Sequence, residues 1–353
     1  MPITDELARS TLELCRIPSE TGAEERIADE VERRCREAAP DASLHRIGNS
    51  VVCVPAGMDD RPSVALVGHL DTVRCARDQR YEITDGRVYG CGASDMKGGV
   101  AVMLRLLDEW RELRAARPVW IFYDREEGPF DENGLEPVLE SGVLPALDLA
   151  FVLEPTDGGL QVGCMGVVNA KVTVRGRRAH SARPWQGESA LSRAIPLLER
   201  LRDRERRAVR FGDLVFYEVI TATQASTSNS PNVVPDRFEL NLNCRFAPGR
   251  AIDDALDELN ELVGASGDVE VRDAAPAGDV HLDHPLLAEW MRAERLTVAP
   301  KQAWTDVARL TGRGIPAVNF GPGETAQAHQ ADEWCSVTSL ASNYEALRRF
   351  FTA

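Results

Sequence analysis

Residues 98–128, GGVAVMLRLLDEWRELRAARPVWIFYDREEG, carry the pattern on which the fold turns. Val100, Met103, Leu104, Leu107 and Trp110 recur at helical spacing, which predicts a helix from about Gly98 to Arg114. Val119–Tyr123 then runs apolar without alternation, as a strand covered on both faces does. Working outward, similar short apolar runs stand at Ser50–Pro55, Val64–Gly68 and Leu149–Leu153, with a weaker helix at 133–141. Towards the N-terminus a loose helix is expected over 5–16. Thr21 and Glu24 have capping-box spacing ahead of Ile27, Val31 and Cys35. Short buried strands alternating with helices imply an α/β fold on a mixed, mostly parallel sheet.

From about Val168 the period changes. Lys171, Thr173 and Arg175 alternate with Val172 and Val174, the mark of a sheet with one wet face. Onward, the patterns predict a helix at 187–203, strands at 214–223 and 237–246, a helix at 250–264 and a strand at 268–273. That β-α-β-β-α-β order describes a separate α+β, ferredoxin-like unit. After Pro285 the α/β style resumes, with a helix at 286–296, a strand at Ala317–Phe320 and a closing helix through Leu340, Tyr344, Leu347 and Phe351. The expected organisation is a discontinuous domain, 1–168 and 284–353, interrupted by an inserted one, 169–283. The charged run Arg200–Arg210 reads as a solvated helix end.

A net charge of −15 over 353 residues argues against nucleic acid or an anionic membrane as a partner. No apolar run is long enough to cross a bilayer, and no secretory leader is visible, so the cytoplasm is the default compartment. Eight cysteines are scattered without a C-x-x-C pair, and reduced, buried thiols are the expectation.

The polar residues at the ends of the apolar runs carry the chemistry. His69 and Asp71 in Gly-His-Leu-Asp-Thr point to the same side of an extended chain, and the carboxylate can orient the imidazole. Asp95 lies in a glycine-rich stretch just before a helix, where a helix cap is the plain alternative. Glu126 and Glu127 follow a strand and would repel one another without a cation nearby. Glu154 ends another strand, and His329 sits in a polar loop after Gly-Pro-Gly. Each alone has a structural explanation. Together, two histidines and three carboxylates (His69, Asp95, Glu127, Glu154, His329) suit a pair of borderline cations with one bridging carboxylate. Glu126 is left over, where a general base is needed.

These motifs occur in an order that resembles the co-catalytic di-zinc family of aminoacylases, acetylornithine deacetylases, carboxypeptidases and succinyl-diaminopimelate desuccinylases. Within it, FYDREEGPFDENGL (122–135), GRRAHSARPWQGESA (176–190), PNVVPDRFELNLNCRFAPGR (231–250) and WTDVARLTGRGIPAVNFGPG (304–323) look most like the actinobacterial desuccinylase branch. The resemblance implies a zinc-exopeptidase-like catalytic domain with an inserted dimerisation lid, and two divalent ions, Zn²⁺ with Co²⁺ able to substitute. Asp95 would bridge, with His69 and Glu154 on one ion and Glu127 and His329 on the other. Glu126 would be the base and Asp71 the partner of His69. It further implies a homodimer, with His180 and Asn232 reaching the neighbour's site and Arg245 and Thr305 binding substrate carboxylates.

Two departures touch the acyl group. Gly163-Cys164-Met165-Gly166 replaces an Arg-Arg-Gly-Ser turn, and Arg183 stands where that branch has tyrosine. Arg175, Arg177, Arg178 and Arg183 surround His180, and arginine suits carboxylate recognition. A basic strand face explains Arg175 and Arg177 equally well. The expected activity is amide hydrolysis, on N-succinyl-diaminopimelate or on another N-acyl amino acid or dipeptide. A non-catalytic relative would need neither Glu126 nor five ligands.

Overall fold

The structure, a computed structural model, describes residues 1–57 and 60–353. It divides into two compact units, Met1–Gly163 with His281–Ala299 and Thr305–Ala353, and Cys164–Val280 with Pro300–Trp304. The divisions fall a few residues before the joints read from the sequence at 168 and 283. Backbone bonding explains the first shift, because Cys164 and Gly278 exchange bonds of 3.2 and 3.1 Å and Met165 N donates to Ala303 O at 3.0 Å.

In the first unit an eight-stranded sheet has the order Ser43–Ile47, Ser50–Val54, Arg117–Tyr123, Ser63–His69, Leu149–Pro155, Ala317–Gly321, Leu160–Val162, Val298–Pro300. The four central strands, from Arg117–Tyr123 to Ala317–Gly321, are mutually parallel. Their neighbours on either side run antiparallel. Ser63–His69 and Leu149–Pro155 are buried at every position, as continuous apolar runs require. The helix Gly98–Asp108 stops sooner than the predicted Arg114, in turns through Trp110 and Leu113. Its glycine start lets it sit directly on the sheet, since a Cβ on Gly99 would lie 2.5 Å from Leu153 O.

The second unit holds a five-stranded antiparallel sheet, ordered Arg207–Phe211, Leu214–Ser226, Arg237–Phe246, Gly166–Arg175, Asp268–Ala275. Val168, Ala170, Val172 and Val174 share a core with Leu240, Leu242, Ala194, Leu197, Ala255 and Leu259, the last four from the helices Ala190–Arg202 and Ile252–Val263. The opposite face is polar, where Asn243 donates to Asn169 at 2.9 Å and accepts from Arg245 at 3.0 Å.

Three local expectations are corrected. Arg207–Phe211 is an edge strand, not the end of a helix; its Arg207 donates across to Glu218 at 2.7 Å. The Thr21–Glu24 capping box does not form, because Thr21 donates to Asp71 at 2.9 Å and Glu24 accepts from Gly22 N at 2.6 Å. Cys75 and Cys91 form a disulfide with Cα atoms 5.7 Å apart; the six other cysteines are free and buried. No helix among the described residues is long and apolar enough to cross a membrane.

Candidate metal centre

Because the four central strands are parallel, their carboxyl ends meet along one edge of the sheet, where ligands collect in open α/β folds. His69 ends one strand, Asp124–Glu127 follow the next, Glu154 lies at the end of a third, and the loop after Ala317–Gly321 leads to His329. Asp95 joins them from the turn Ala93–Lys97 that opens the helix Gly98–Asp108.

Asp95 faces two ways. Its Oδ1 lies 3.1 Å from His69 Nε2 and its Oδ2 lies 3.6 Å from His329 Nε2. His69 Nε2 is also 3.7 Å from Glu154 Oε1, and His329 Nε2 is 2.9 Å from Glu127 Oε1. His69, Asp95 and Glu127 each offer a ligand atom within 4.8 Å of the others. All five residues named from the sequence are therefore neighbours.

Asp71 meets His69 through its main chain as well as its carboxylate. The atom of Asp71 nearest His69 Nδ1 is its carbonyl oxygen at 3.1 Å, with the carboxylate at 3.5 Å. The carboxylate accepts from Glu126 N at 2.9 Å, Glu127 N at 3.0 Å and the Thr21 hydroxyl at 2.9 Å. It thus seats both glutamates by their backbones. Burial opposes its charge, but His69 and these N–H donors hold its pKa below the usual value.

The electrostatics mark a concentration of buried negative charge. Burial, with Glu127, Glu154 and Asp306 nearby, pushes Glu126 well above the ordinary carboxylate range although His69 opposes it. Burial would lower His69, yet Asp71, Asp95 and Glu126 hold it well above its ordinary value. His329 is raised to about 9, chiefly by its bond to Glu127. A set of oxygen and nitrogen donors without thiolate, sharing one two-faced carboxylate, fits divalent ions of the borderline or hard kind.

Sequence reasoning missed Glu333 and the disulfide. Glu333 is buried and accepts backbone bonds from Gly92, Ser94 and Asp95. Burial raises it to about 7 despite those bonds. It was visible only as the last letter of Ala-His-Gln-Ala-Asp-Glu. The Cys75–Cys91 bond ties the loop after Thr72 to the loop before Asp95, and nothing in the cysteine spacing announced it.

In the second unit, His180 and Asn232 come together through the short antiparallel pair Ala179–His180 and Val233–Val234. Ser181 N donates to Asn232 O at 2.9 Å, and Arg183 N to His180 O at 2.9 Å. Ala182 N donates to His180 Nδ1 at 3.0 Å, which leaves Nε2 to carry the proton. Arg175 pairs with Asp268 on the surface, in keeping with a plain strand face. Thr305 is buried in the first unit beside Asp306, which accepts from Tyr123, Asn133 and Arg309.

Residues 65–353 match peptidase family M20/M25/M40. The chain belongs to that family. It is a metal-dependent hydrolase of amide bonds. A succinyl-diaminopimelate desuccinylase of Corynebacterium glutamicum is 35% identical over 353 residues, covering 97% of this chain and 95% of that protein. An acetylornithine deacetylase of Myxococcus xanthus is 31% identical, with 85% and 82% covered. Among solved structures, a tripeptidase of Staphylococcus aureus matches with a TM-score of 0.81 at 18% identity, covering 99% of this chain and 98% of its own, a likeness of fold.

Proposed function

We propose that this chain hydrolyses N-succinyl-LL-2,6-diaminopimelate to succinate and LL-2,6-diaminopimelate, a step towards lysine and cell-wall precursors, as a cytoplasmic homodimer using two Zn²⁺ ions. The observation that carries the two-ion reading is Asp95, whose two oxygens face separate histidine–carboxylate pairs. His69 and Glu154 would hold one ion, Glu127 and His329 the other. Bound there, the ions would polarise the amide carbonyl and make a water acidic near neutral pH.

The protein's own part is proton traffic and orientation. Glu126 takes the proton from the attacking water as its oxygen bonds to the carbonyl carbon. When the C–N bond breaks, Glu126 returns that proton to the departing amine nitrogen. Asp71 keeps Glu126 and Glu127 seated during both transfers through their backbone N–H groups. His180, Arg183, Asn232, Arg245 and Thr305 are our candidates for substrate contacts. The desuccinylase of Corynebacterium glutamicum supports succinyl as the acyl group. So does arginine's fit to carboxylates, because a site built for a charged partner rejects a compound lacking it.

A panel of N-succinyl, N-acetyl and dipeptide substrates, assayed with Zn²⁺ and with Co²⁺, tests the reading. N-succinyl-diaminopimelate should exceed a neutral N-acetyl amino acid in kcat/KM by at least ~10²-fold. Equal efficiency on both would remove the succinyl assignment and leave amide hydrolysis standing.

A further inference from the structure

Glu333 lies four residues beyond His329, and its carboxylate holds a stretch of chain from the far side of the sequence. Oε1 accepts from Ser94 N at 2.8 Å and from Asp95 N at 2.9 Å, while Oε2 accepts from Gly92 N at 2.7 Å. The main chain adds to the clamp, since Gly90 N donates to Glu333 O at 3.1 Å. Trp334–Ser336 then pairs antiparallel with Arg87–Tyr89. The side chain is 3% exposed. A carboxylate buried this deeply is costly unless donors surround it, and three backbone N–H groups supply that compensation. They can do so only with the loop in this conformation, with Gly92 left-handed at φ 78° and packed where a Cβ would meet Thr72 Cγ2 at 2.6 Å.

The two histidine–carboxylate pairs are supported unequally. His69 and Glu154 stand on fully buried strands, and His69 is in register with Tyr123 of the adjacent strand. His329 instead lies in a loop in the left-handed region at φ 62°, with its side chain 52% exposed. The nearby buried side chain that ties this loop to Asp95 is Glu333. We propose that Glu333 is a positioning residue that sets the separation of His329 from Asp95, and so governs the cation position served by Glu127 and His329 more than the one served by His69 and Glu154. The inference rests on the two-ion reading above.

The test counts metal, not turnover. Wild type, Glu333→Gln and Glu333→Ala are dialysed against buffered free Zn²⁺ over several decades, and bound metal is measured by mass spectrometry. Wild type should hold two ions per chain. Both variants should keep the tighter ion and bind the second about 10–100-fold more weakly, the usual cost of losing a partner behind the ligands. Alanine should be worse than glutamine, whose carbonyl still accepts while its NH₂ confronts a backbone N–H. In a His329→Ala background, Glu333→Gln should add little further loss. Circular dichroism of the metal-free proteins should match wild type. Equal weakening of both ions, unchanged binding, or a metal-free Glu333→Gln that does not fold would each overturn the proposal. A wild type that saturates at one ion would instead sink the two-ion reading.

Discussion

Glu126 and Glu127 carry the same side chain at adjacent positions, yet the structure gives them different surroundings. Glu127 meets His329 at 2.9 Å, whereas Glu126 is surrounded by the charges of Glu127, Glu154 and Asp306 with His69 opposite. Asp71 makes the difference possible, since each of its oxygens fixes one of the two backbone N–H groups. Glu126→Gln should therefore cost about 10²–10⁴ in kcat, the range for lost general acid–base help, with bound metal close to wild type. Glu127→Gln should lower bound metal by removing a ligand charge. Parallel kinetics and metal analysis on the purified variants decide it. The reverse pattern would exchange the two roles.

At the level of elements, the central strands were legible because burial on both faces leaves a continuous apolar run, and Val64–Gly68 and Val119–Tyr123 hold little else. The polar residues at their ends were legible for the same reason, standing out against those runs. What stayed hidden depends on partners that the local pattern of residues does not name. Thr21 has the right neighbour for a capping box, but Asp71, 50 positions away, takes its hydroxyl. Arg207–Phe211 looked like solvated charge because its pairing partner, Leu214–Ser226, lies beyond a tight turn at left-handed Gly212. Cys75 and Cys91 meet only once their two loops are folded. The glycines of Asp95-Met-Lys-Gly-Gly stand out in the sequence only as a glycine-rich stretch, and at Gly99 the structure shows close packing. A Cβ there would sit 2.5 Å from Leu153 O, on the strand that carries Glu154, and 2.9 Å from Met96 Cε. Gly99→Ala should destabilise the fold by about 1–3 kcal/mol, the usual range for overpacking. Equilibrium denaturation of the metal-free protein reads this directly, and an unchanged midpoint would mean that the helix shifts freely over the sheet.

For the whole molecule, the question is whether one chain contains everything the reaction needs. The first unit gathers the candidate ligands and Glu126, while His180 and Asn232 belong to the second. Within that unit His180 is prepared to donate. Its Nδ1 accepts from Ala182 N, so the proton resides on Nε2, on an exposed ring. Such a donor would stabilise the oxyanion that develops when water adds to an amide carbonyl. In our proposal it serves the active site of the second subunit of a two-fold dimer, an arrangement with a measurable signature. His180→Ala and Glu126→Gln homodimers should each be nearly inactive. After subunit exchange, one site of every mixed dimer joins an intact Glu126 to an intact His180 from its neighbour. Equal mixing should then restore about a quarter of wild-type activity, because random pairing makes half of the dimers mixed and each has one working site. Native mass spectrometry of the exchanged sample establishes that mixed dimers are present. If they are present and activity stays at the level of the parents, His180 acts within its own subunit or not at all.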